Sequence, residues 1–467
     1  MPRQFALFIC VLFILWLFAR DQKLRPMPSW GLWIALIWIM IIGSRPVSFW
    51  LGGGFPVVTP GDYIEGSPLD RNFFILLIIL GLFALLRRSL DWSKVLVSNR
   101  WFFAFFIYCG ISVMWSDYPF VGFKRWIKDF GNVVVALLIL TEKDPVQATK
   151  AVFARYTYFA ILLSVVLIKY YPELGRYYNN WTWQPGFRGV ATTKNELGCI
   201  VFICFLLLIW DLIEMRTVRD KKADKVDLLS RIVLLLMMFW LIGIAGSATA
   251  LLSLILGTGV LLFMRFPNSR RYVRHLGTYS LVMILLFYLV PNILKEFVGI
   301  LGRDMTLTGR TNIWADLLSV PINTMFGTGY QSFWLSPVVE DLWKKYDWHL
   351  NQAHNGYLET YLNEGLVGLF LLMAMIISTG RKLKKELLAG NSYGILRFTF
   401  FAVAVLYNWT EALFNKLSLV WIILIIAALK YPSSRISMPE TIARSANGEK
   451  LELHPSGNPR NPQEVTH

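Results

Sequence analysis

The sequence predicts an all-α, polytopic integral membrane protein. Hydrophobic residues make up 55% of its 467 residues and charged residues only 16%, whereas soluble domains usually carry about 25% charged residues. Apolar stretches recur along the chain almost to residue 430. Because a helix needs about 20 apolar residues to cross a bilayer, this pattern predicts a bundle of membrane-spanning helices.

Thirteen apolar stretches are interpreted as the cores of these helices, and several need flanking residues to reach full length. The first resembles a signal peptide, but Leu17–Arg20 offers no small-residue cleavage site, so a retained anchor is expected. The prediction is therefore about 12–13 transmembrane helices, with cores at Phe5–Phe18, Leu32–Ile42, Phe73–Leu86, Trp101–Trp115, Phe130–Leu140, Tyr156–Ile168, Leu197–Leu212, Ile232–Ala245, Ala248–Phe263, Leu276–Val290, Leu366–Ile377, Leu396–Tyr407 and Leu417–Leu429.

The basic charge of the chain orients these spans. The net charge is +16 at pH 7, and loops rich in Lys and Arg usually lie in the cytoplasm. If Pro291–Asn355 is placed outside, alternation puts the basic loops Arg216–Arg231, Arg265–Arg274 and Arg381–Lys385 inside. Because the basic residues are scattered over many loops rather than gathered in one patch, membrane topology explains them better than a nucleic-acid partner.

The chain divides into a membrane domain, residues 1–430, and a polar segment, residues 431–467, which is expected to be a disordered cytoplasmic tail. The cysteines lie in apolar stretches, so neither a disulfide framework nor a metal cluster is indicated. They are Cys10, Cys109, Cys199 and Cys204.

Three predicted extracytoplasmic loops are long enough to carry function: Gly43–Asn72, Lys169–Lys194 and the largest, Pro291–Asn355. The aromatic residues of Lys169–Lys194 are typical of an interfacial belt, although stacking on sugars is an alternative. Ionisable residues are nearly absent from the middle of the spans, whereas ion-coupled transporters usually carry them there. The sequence also contains no Walker-type loop and no Asp-x-Asp pair, so chemistry at the outer ends would use a donor already carried across the membrane.

Three motifs carry a resemblance to a known family. They read TLTGRTNIW at residues 306–314, MFGTGYQSFW at 325–334 and QAHNGYLETYLNEGLVG at 352–368. Together they resemble the O-antigen ligase and Wzy-type polymerase superfamily. Further segments fit in order: GFRGVATTKNELG at 186–198, GSATALLSLILG at 246–257 and YNWTEALF at 407–414. The resemblance covers roughly residues 186–429, which would form the catalytic half.

This resemblance implies a GT-C-like fold in the bacterial inner membrane with its active site facing the periplasm. The family is thought to move a glycan from an undecaprenyl pyrophosphate carrier to an acceptor hydroxyl, with inversion and without a metal or other cofactor. By position, its essential histidine matches His354, and its two arginines match Arg188 and Arg310. The implied partners are the lipid-linked oligosaccharide donor, a glycan or lipid acceptor, the bilayer and other polysaccharide export components.

The chemistry of these residue types suits that reaction. The leaving group is a pyrophosphate, and an arginine binds phosphate oxygens through a planar fork that stays protonated. A single loop arginine more often pairs with lipid headgroups, but Arg310 follows Gly309 and leads into a predicted helix. His354 would take the proton of the acceptor hydroxyl, since histidine is partly neutral near pH 7. Asn355 is expected to cap the following helix, whose positive start disfavours imidazolium.

Four more residues are candidates for substrate contact: Asn355, Glu359, Lys194 and Glu411. Asn355, Glu359 and Asn363 form a polar row at a spacing of four residues, for which bracing a neighbouring helix is the more common role. Two glycines, Gly365 and Gly368, are expected to allow close packing of helices.

No metal site is predicted, because His349 and His354 are five residues apart and would not share one face of a helix.

Three functions fit the sequence. The chain is similar to exopolysaccharide polymerases of the rhizobial type, which favours a polymerase of lipid-linked repeat units. A ligase that transfers the glycan to a lipid or protein acceptor would use the same chemistry. A transporter of polysaccharide or lipid-linked sugar is the alternative from another class, and the apolar middle of the spans disfavours it.

Overall fold

The computed structural model describes residues 1–52, 67–178, 185–218, 225–266, 268–279, 310–346 and 350–430. Helices dominate these residues, which confirms the all-α prediction. Twelve of the thirteen predicted apolar cores overlap described helices, and the remaining one, at 276–290, lies mostly outside the described residues. The predicted tail, residues 431–467, also lies outside them.

The first part of the chain, up to residue 187, forms helices that start mostly at proline or polar caps. Ser67, for example, accepts a hydrogen bond from the Asp70 amide at the start of one helix, and Asp144 caps another. A short antiparallel hairpin, paired between Arg176 and Phe187, follows these helices. The elements are α1 (Arg3–Leu24), α2 (Gly31–Ile42), α3 (Val47–Trp50), α4 (Pro68–Leu86), α5 (Trp92–Ser98), α6 (Arg100–Ser112), α7 (Pro119–Leu140), α8 (Pro145–Tyr170), α9 (Pro172–Gly175), β1 (Arg176–Tyr178) and β2 (Pro185–Phe187).

The second part continues the bundle and adds a compact outer region between residues 310 and 355. That region has a small apolar core of its own around Leu317 and Phe333. The elements are α10 (Lys194–Val218), α11 (Lys225–Ala245), α12 (Ala248–Phe263), α13 (Ser269–Arg274), α14 (Arg310–Ser319), α15 (Glu340–Lys345), α16 (Gly356–Leu388), α17 (Ser392–Tyr407) and α18 (Leu419–Ala428).

Six described helices are long and apolar enough to cross a bilayer: α1, α4, α8, α10, α11 and α16. The bent pair α5–α6 would add a seventh. The chain is therefore a multi-pass membrane protein. The count is lower than the predicted 12–13 for three reasons. The helices α2, α12, α17 and α18 have only 10–17 residues, and α7 is long enough but carries Lys124, Arg125, Lys128 and Asp129. The core at 276–290 lies mostly outside the described residues. At 1.5 Å per residue, the 12 residues of α2 rise about 18 Å, less than the hydrocarbon core of about 30 Å.

The inter-helix loops meet at two ends of the bundle, which we call inner and outer. The inner end holds the connections predicted to be cytoplasmic. There Asp211, at the end of α10, pairs with Arg25 and Lys150 at 3.0 Å each and with Arg231 at 2.5 Å, which joins four helices. At the outer end, Arg45 donates from Nη2 to the carbonyl of Gly189 at 2.7 Å, which joins two loops predicted to be extracytoplasmic.

Helix α16 is broken at Gly365, whose φ of +65° lies in the left-handed region. The amides of Leu366 and Val367, which lose their helical partners at the break, donate to the carbonyls of Thr324 and Met325 at 2.9 and 3.1 Å. A residue with φ near +65° is favourable only as glycine. At the break, the chain at the start of the residue 325–334 motif therefore forms hydrogen bonds with the backbone of a spanning helix.

The same motif also binds the turn before the break. Thr328 and Gly329 donate their amides to the carbonyls of Leu362 and Asn363 at 3.1 and 2.7 Å. A Cβ at Gly365 would lie 2.3 Å from the Met325 backbone. The glycine thus allows close packing, although against a turn rather than against another helix as predicted. The break itself was not predicted, because an isolated glycine in an apolar helix is common in membrane spans.

Replacing Gly365 with alanine should destabilise the protein, because the new Cβ would meet the Met325 backbone and the left-handed φ would be strained. The expected loss is about 2 kcal/mol or more in the free energy of unfolding. Thermal melting in detergent would measure it. Gly380→Ala is the matched control in the same helix, since its Cβ would lie 3.6 Å from the Phe401 ring. Equal melting temperatures for the two variants would contradict the account of the break.

Candidate functional site

The loop before α16 holds His354 in an unusual backbone conformation. Its φ is +50°, in the left-handed region that residues other than glycine seldom adopt. The neighbouring Ala353 is fixed on both sides: its amide donates to Glu359 Oε2 at 2.8 Å, and its carbonyl accepts from Trp314 Nε1 at 2.8 Å. Such a conformation costs about 1–3 kcal/mol and persists only where surrounding contacts impose it. Those two contacts therefore aim the imidazole.

Asn355 caps α16, as the sequence predicted. Its Oδ1 accepts from the amides of Tyr357 and Leu358 at 3.0 and 3.1 Å. The amide of Gly356, the first residue of α16, donates to the carbonyl of Asn408 at 2.7 Å. The start of α16 is thereby joined to the turn that follows α17.

That turn, residues 408–414, carries Glu411. Asn408 is fully buried, and its Oδ1 accepts from the amides of Leu413 and Phe414 at 2.9 Å each. Its amide nitrogen donates to the carbonyl of Ala404 in the last turn of α17 at 2.9 Å. Asn408 thus organises the turn from inside and fixes where the Glu411 carboxylate lies.

Three side chains converge on Glu411. His354 Nδ1 lies 3.3 Å from Oε2, Arg310 Nη2 lies 3.3 Å from Oε1, and Asn195 Nδ2 donates to Oε1 at 3.1 Å. Arg310 also donates from Nη1 to the carbonyl of Thr410. We call Glu411, His354, Arg310 and Asn195 the Glu411 cluster. It joins α10, α14, the loop before α16 and the turn after α17 at the outer end.

The exposure of these side chains divides the cluster into a closed centre and an open rim. The Glu411 side chain is 7% exposed, whereas those of His354 and Arg310 are 19% and 16% exposed. A carboxylate at Nδ1 favours the tautomer with its proton on that nitrogen, which leaves Nε2 as a proton acceptor. Arg310 keeps further N–H donors beyond the two it uses here. The rim therefore presents a base and a cation side by side.

Glu359, another predicted contact residue, supports the loop that carries His354. It is buried, and besides the Ala353 amide it accepts from Trp334 Nε1 at 3.0 Å and from Lys416 Nζ at 3.3 Å. Asn363, one turn later, accepts the Phe333 amide at 3.1 Å. These contacts are the bracing role that was considered for the polar row.

Arg188 and Lys194 lie apart from these contacts. Arg188 donates from Nε to the carbonyl of Leu174 at 2.9 Å and from Nη2 to that of Glu173 at 3.2 Å. Within the described parts of the chain, no hydrogen bond or ion pair joins it to the Glu411 cluster. Burial lowers the pKa of Arg188 from its usual value, and Tyr177 opposes that shift. Lys194 is exposed at the start of α10.

The described residues contain no group of three His, Cys, Asp or Glu side chains arranged to hold a metal ion. His349, which was considered as a ligand, lies outside them.

Two members of the site were not predicted, Asn195 and Asn408. Both are amides in segments that resemble the family, KNELG and YNW, but an asparagine near the end of a span is most often a cap or a turn residue. Only the meeting of α10 with the turn after α17 shows that Asn195 reaches Glu411.

Comparison with known proteins relates this geometry to a family. A family model described as O-antigen ligase matches residues 233–373. This stretch contains both members of the cluster's rim, Arg310 and His354. Residues 233–373 of the chain are thus similar to the O-antigen ligase family.

Among curated proteins, the chain is similar to the exopolysaccharide production protein ExoQ of Rhizobium meliloti (strain 1021). The two are 26% identical over 312 residues, which cover 62% of this chain and 66% of the relative. The family model covers neither Arg188 nor Glu411. The geometry joins Glu411 to the rim residues, whereas the role of Arg188 stays a prediction from the sequence resemblance.

Replacing Glu359 with glutamine should lower the stability of the outer region, because an amide cannot accept from Ala353, Trp334 and Lys416 as a carboxylate does. The expected loss is about 1–3 kcal/mol, measured by thermal melting. Glu340→Gln is the control, since Glu340 is exposed in the same region. A Glu359→Gln variant that melts with the control would show that the bracing contacts contribute little.

Proposed function

We propose that this protein is an extracytoplasmic-face glycosyltransferase that polymerises polysaccharide repeat units from an undecaprenyl-pyrophosphate-linked donor. The observation that carries the proposal is the Glu411 cluster, in which a base and an arginine share one buried carboxylate at 3.3 Å each. The similarity to an exopolysaccharide production protein supports polymerisation in particular.

His354 acts as the general base in this proposal. Nδ1 is held by Glu411, so Nε2 takes the proton of the acceptor hydroxyl as that oxygen attacks the anomeric carbon of the donor sugar. The new glycosidic bond forms while the bond to the pyrophosphate breaks on the opposite face, which inverts the anomeric centre. Glu411 then stabilises the imidazolium, as the carboxylate of a catalytic triad does.

Arg310 and Arg188 stabilise the departing pyrophosphate. Negative charge grows on its oxygens as the glycosidic bond breaks, and a preorganised guanidinium opposes that charge without reorganisation of solvent. Arg310 is positioned for this role by Glu411 and the Thr410 carbonyl. Among the described residues, Arg188 is held by backbone carbonyls rather than by a carboxylate, so its charge is available to an anion.

The site faces the periplasm in this proposal. The outer end carries the Glu411 cluster, and the basic loops that the positive-inside rule assigns to the cytoplasm belong to the opposite end. A donor that acts there must already have crossed the inner membrane, which suits a lipid-linked substrate.

A ligase is the second candidate, because the family model that matches residues 233–373 is described as O-antigen ligase. It would use the same donor and base, and would differ only in the acceptor. A transporter is disfavoured, since transport needs neither a base nor a preorganised cation at one end of the bundle.

Purified protein given a synthetic undecaprenyl pyrophosphate oligosaccharide should produce a ladder of repeat units, read by mass spectrometry. The reaction should proceed in the presence of EDTA, because the proposed chemistry uses arginines in place of a metal. A product only after addition of a separate lipid acceptor would indicate the ligase instead. Absence of any transfer, with the donor merely bound or moved across vesicles, would reject the glycosyltransferase.

His354→Gln should reduce kcat by about 10²–10⁴-fold, the usual contribution of a general base. Glu411→Gln should reduce it less, because the base remains while its orientation weakens. His275→Gln is the control, since His275 directly follows α13 at the inner end, away from the Glu411 cluster. Wild-type turnover in a folded His354→Gln variant would rule out His354 as the base.

A further inference from the structure

Arg45, in the loop between α2 and α3, organises the segment that carries Arg188. Its side chain is almost fully buried, with the residue only 1% exposed. Nε donates to the carbonyl of Ala191 at 3.2 Å, and Nη2 donates to those of Gly189 and Leu174 at 2.7 and 2.5 Å. These three carbonyls lie before and after Arg188 in the chain. A residue from the first half of the protein therefore fixes the loop of a predicted catalytic arginine.

The third nitrogen of this guanidinium is unsatisfied. Nη1 of Arg45 is buried and has no hydrogen-bond partner in the described part of the structure. The rings of Phe49 and Trp50 lie 4.9 and 5.5 Å from the guanidinium carbon and cover it. Such cation–π contacts offset part of the cost of a buried charge. They do not supply an acceptor, and leaving a buried donor without one is unfavourable.

A second arginine lies beside the first. Arg188 donates from Nε to the Leu174 carbonyl that also accepts from Arg45 Nη2. Burial, together with the charge of Arg188, lowers the pKa of Arg45 to about 10, while Glu196 opposes the shift. Both groups thus stay charged near neutral pH. Among the described residues, neither guanidinium has a carboxylate within ion-pair distance, so two adjacent positive charges share one carbonyl with no anion between them.

We propose that Arg45 and Arg188 together form a cradle for the diphosphate of a lipid, with Arg45 Nη1 as a direct phosphate donor. A diphosphate supplies what the pair lacks: acceptors for the orphaned N–H groups and negative charge to offset two guanidinium groups. Nη1 lies below the surface, and the half-buried rings of Phe49 and Trp50 cover the guanidinium. The phosphate therefore reaches Nη1 past these two rings. Arg45 is then both the anchor of the Arg188 loop and a ligand.

This inference rests on the proposed function, since it names where the donor's diphosphate binds. The cradle is connected to the Glu411 cluster by a short turn. Arg45 binds the Ala191 carbonyl, and only four residues later Asn195 binds Glu411. A chain of four residues spans at most about 14 Å. The segment that binds Arg45 thus also reaches, through Asn195 and Glu411, the residue proposed as the base.

The test is lipid binding by the purified full-length chain, measured by native mass spectrometry with three probes. These are undecaprenyl diphosphate without a glycan, undecaprenyl phosphate and phosphatidylglycerol. Arg45→Gln should weaken undecaprenyl diphosphate binding about tenfold or more, and the other two probes less, because the second phosphate is the one lost. Arg45→Lys should recover part of the affinity, since its ammonium keeps the charge without the fork.

Arg176→Gln is the matched control. Arg176 lies in the same loop and likewise donates to a backbone carbonyl, that of Ile168 at 2.9 Å, but it contacts neither arginine of the cradle. Its affinity for all three probes should match the wild type. If Arg45→Gln and Arg45→Lys weaken all probes equally, Arg45 only holds the loop and the cradle is wrong. Selective loss of phosphatidylglycerol would show a site for bilayer headgroups and overturn the proposal as well.

Failure of this inference is distinguishable from failure of the proposed function, because the binding probe carries no glycan. Product formation by the wild type with unchanged diphosphate affinity in Arg45→Gln would remove the cradle and leave the glycosyltransferase. Arg45-dependent diphosphate binding by a protein that forms no product would leave the cradle and remove the glycosyltransferase.

Discussion

The candidate site depends on the Glu411 carboxylate, which is buried at the outer end of the bundle. It accepts from α10 through Asn195 and from α14 through Arg310, and it meets His354 before α16. One buried carboxylate is thus surrounded by a guanidinium, an imidazole and an amide. Its position fixes both rim groups relative to each other, so the base and the cation are presented as one unit.

The surroundings of Glu411 are arranged to keep it there. Asn408 holds the turn that carries it, and the Gly356 amide binds that turn to the first residue of α16. Glu359 holds the loop of His354 in its left-handed conformation. These supporting groups are buried amides and carboxylates that each make several hydrogen bonds, which rigidify the site. A membrane bundle can thereby maintain a polar site at its edge.

The break at Gly365 and the loop of Arg45 extend the same logic to the rest of the outer end. In both places backbone carbonyls or amides that a regular helix would satisfy are exposed and then bound by a distant segment. At the break, the partner is the residue 325–334 motif. At the Arg188 loop, the partner is a single guanidinium from the first half of the chain. Irregular backbone within a membrane protein is tolerated where protein groups satisfy it, and these are two such places in the described part of the chain.

The all-α membrane class, the approximate helix positions and the two rim residues could be predicted from the sequence alone. Apolar length is a local property, so twelve predicted cores overlap helices, and Arg310 and His354 stand out because short motifs contain them. The role of Asn355 as a cap was also predictable, since a cap depends on its immediate neighbours. Three contacts became apparent only in the tertiary structure. Glu411 joins the rim groups, Asn195 binds Glu411, and Arg45 holds the Arg188 loop. Those contacts join residues from 57 to 216 positions apart. No local pattern records such a pairing, because it follows from how the helices pack.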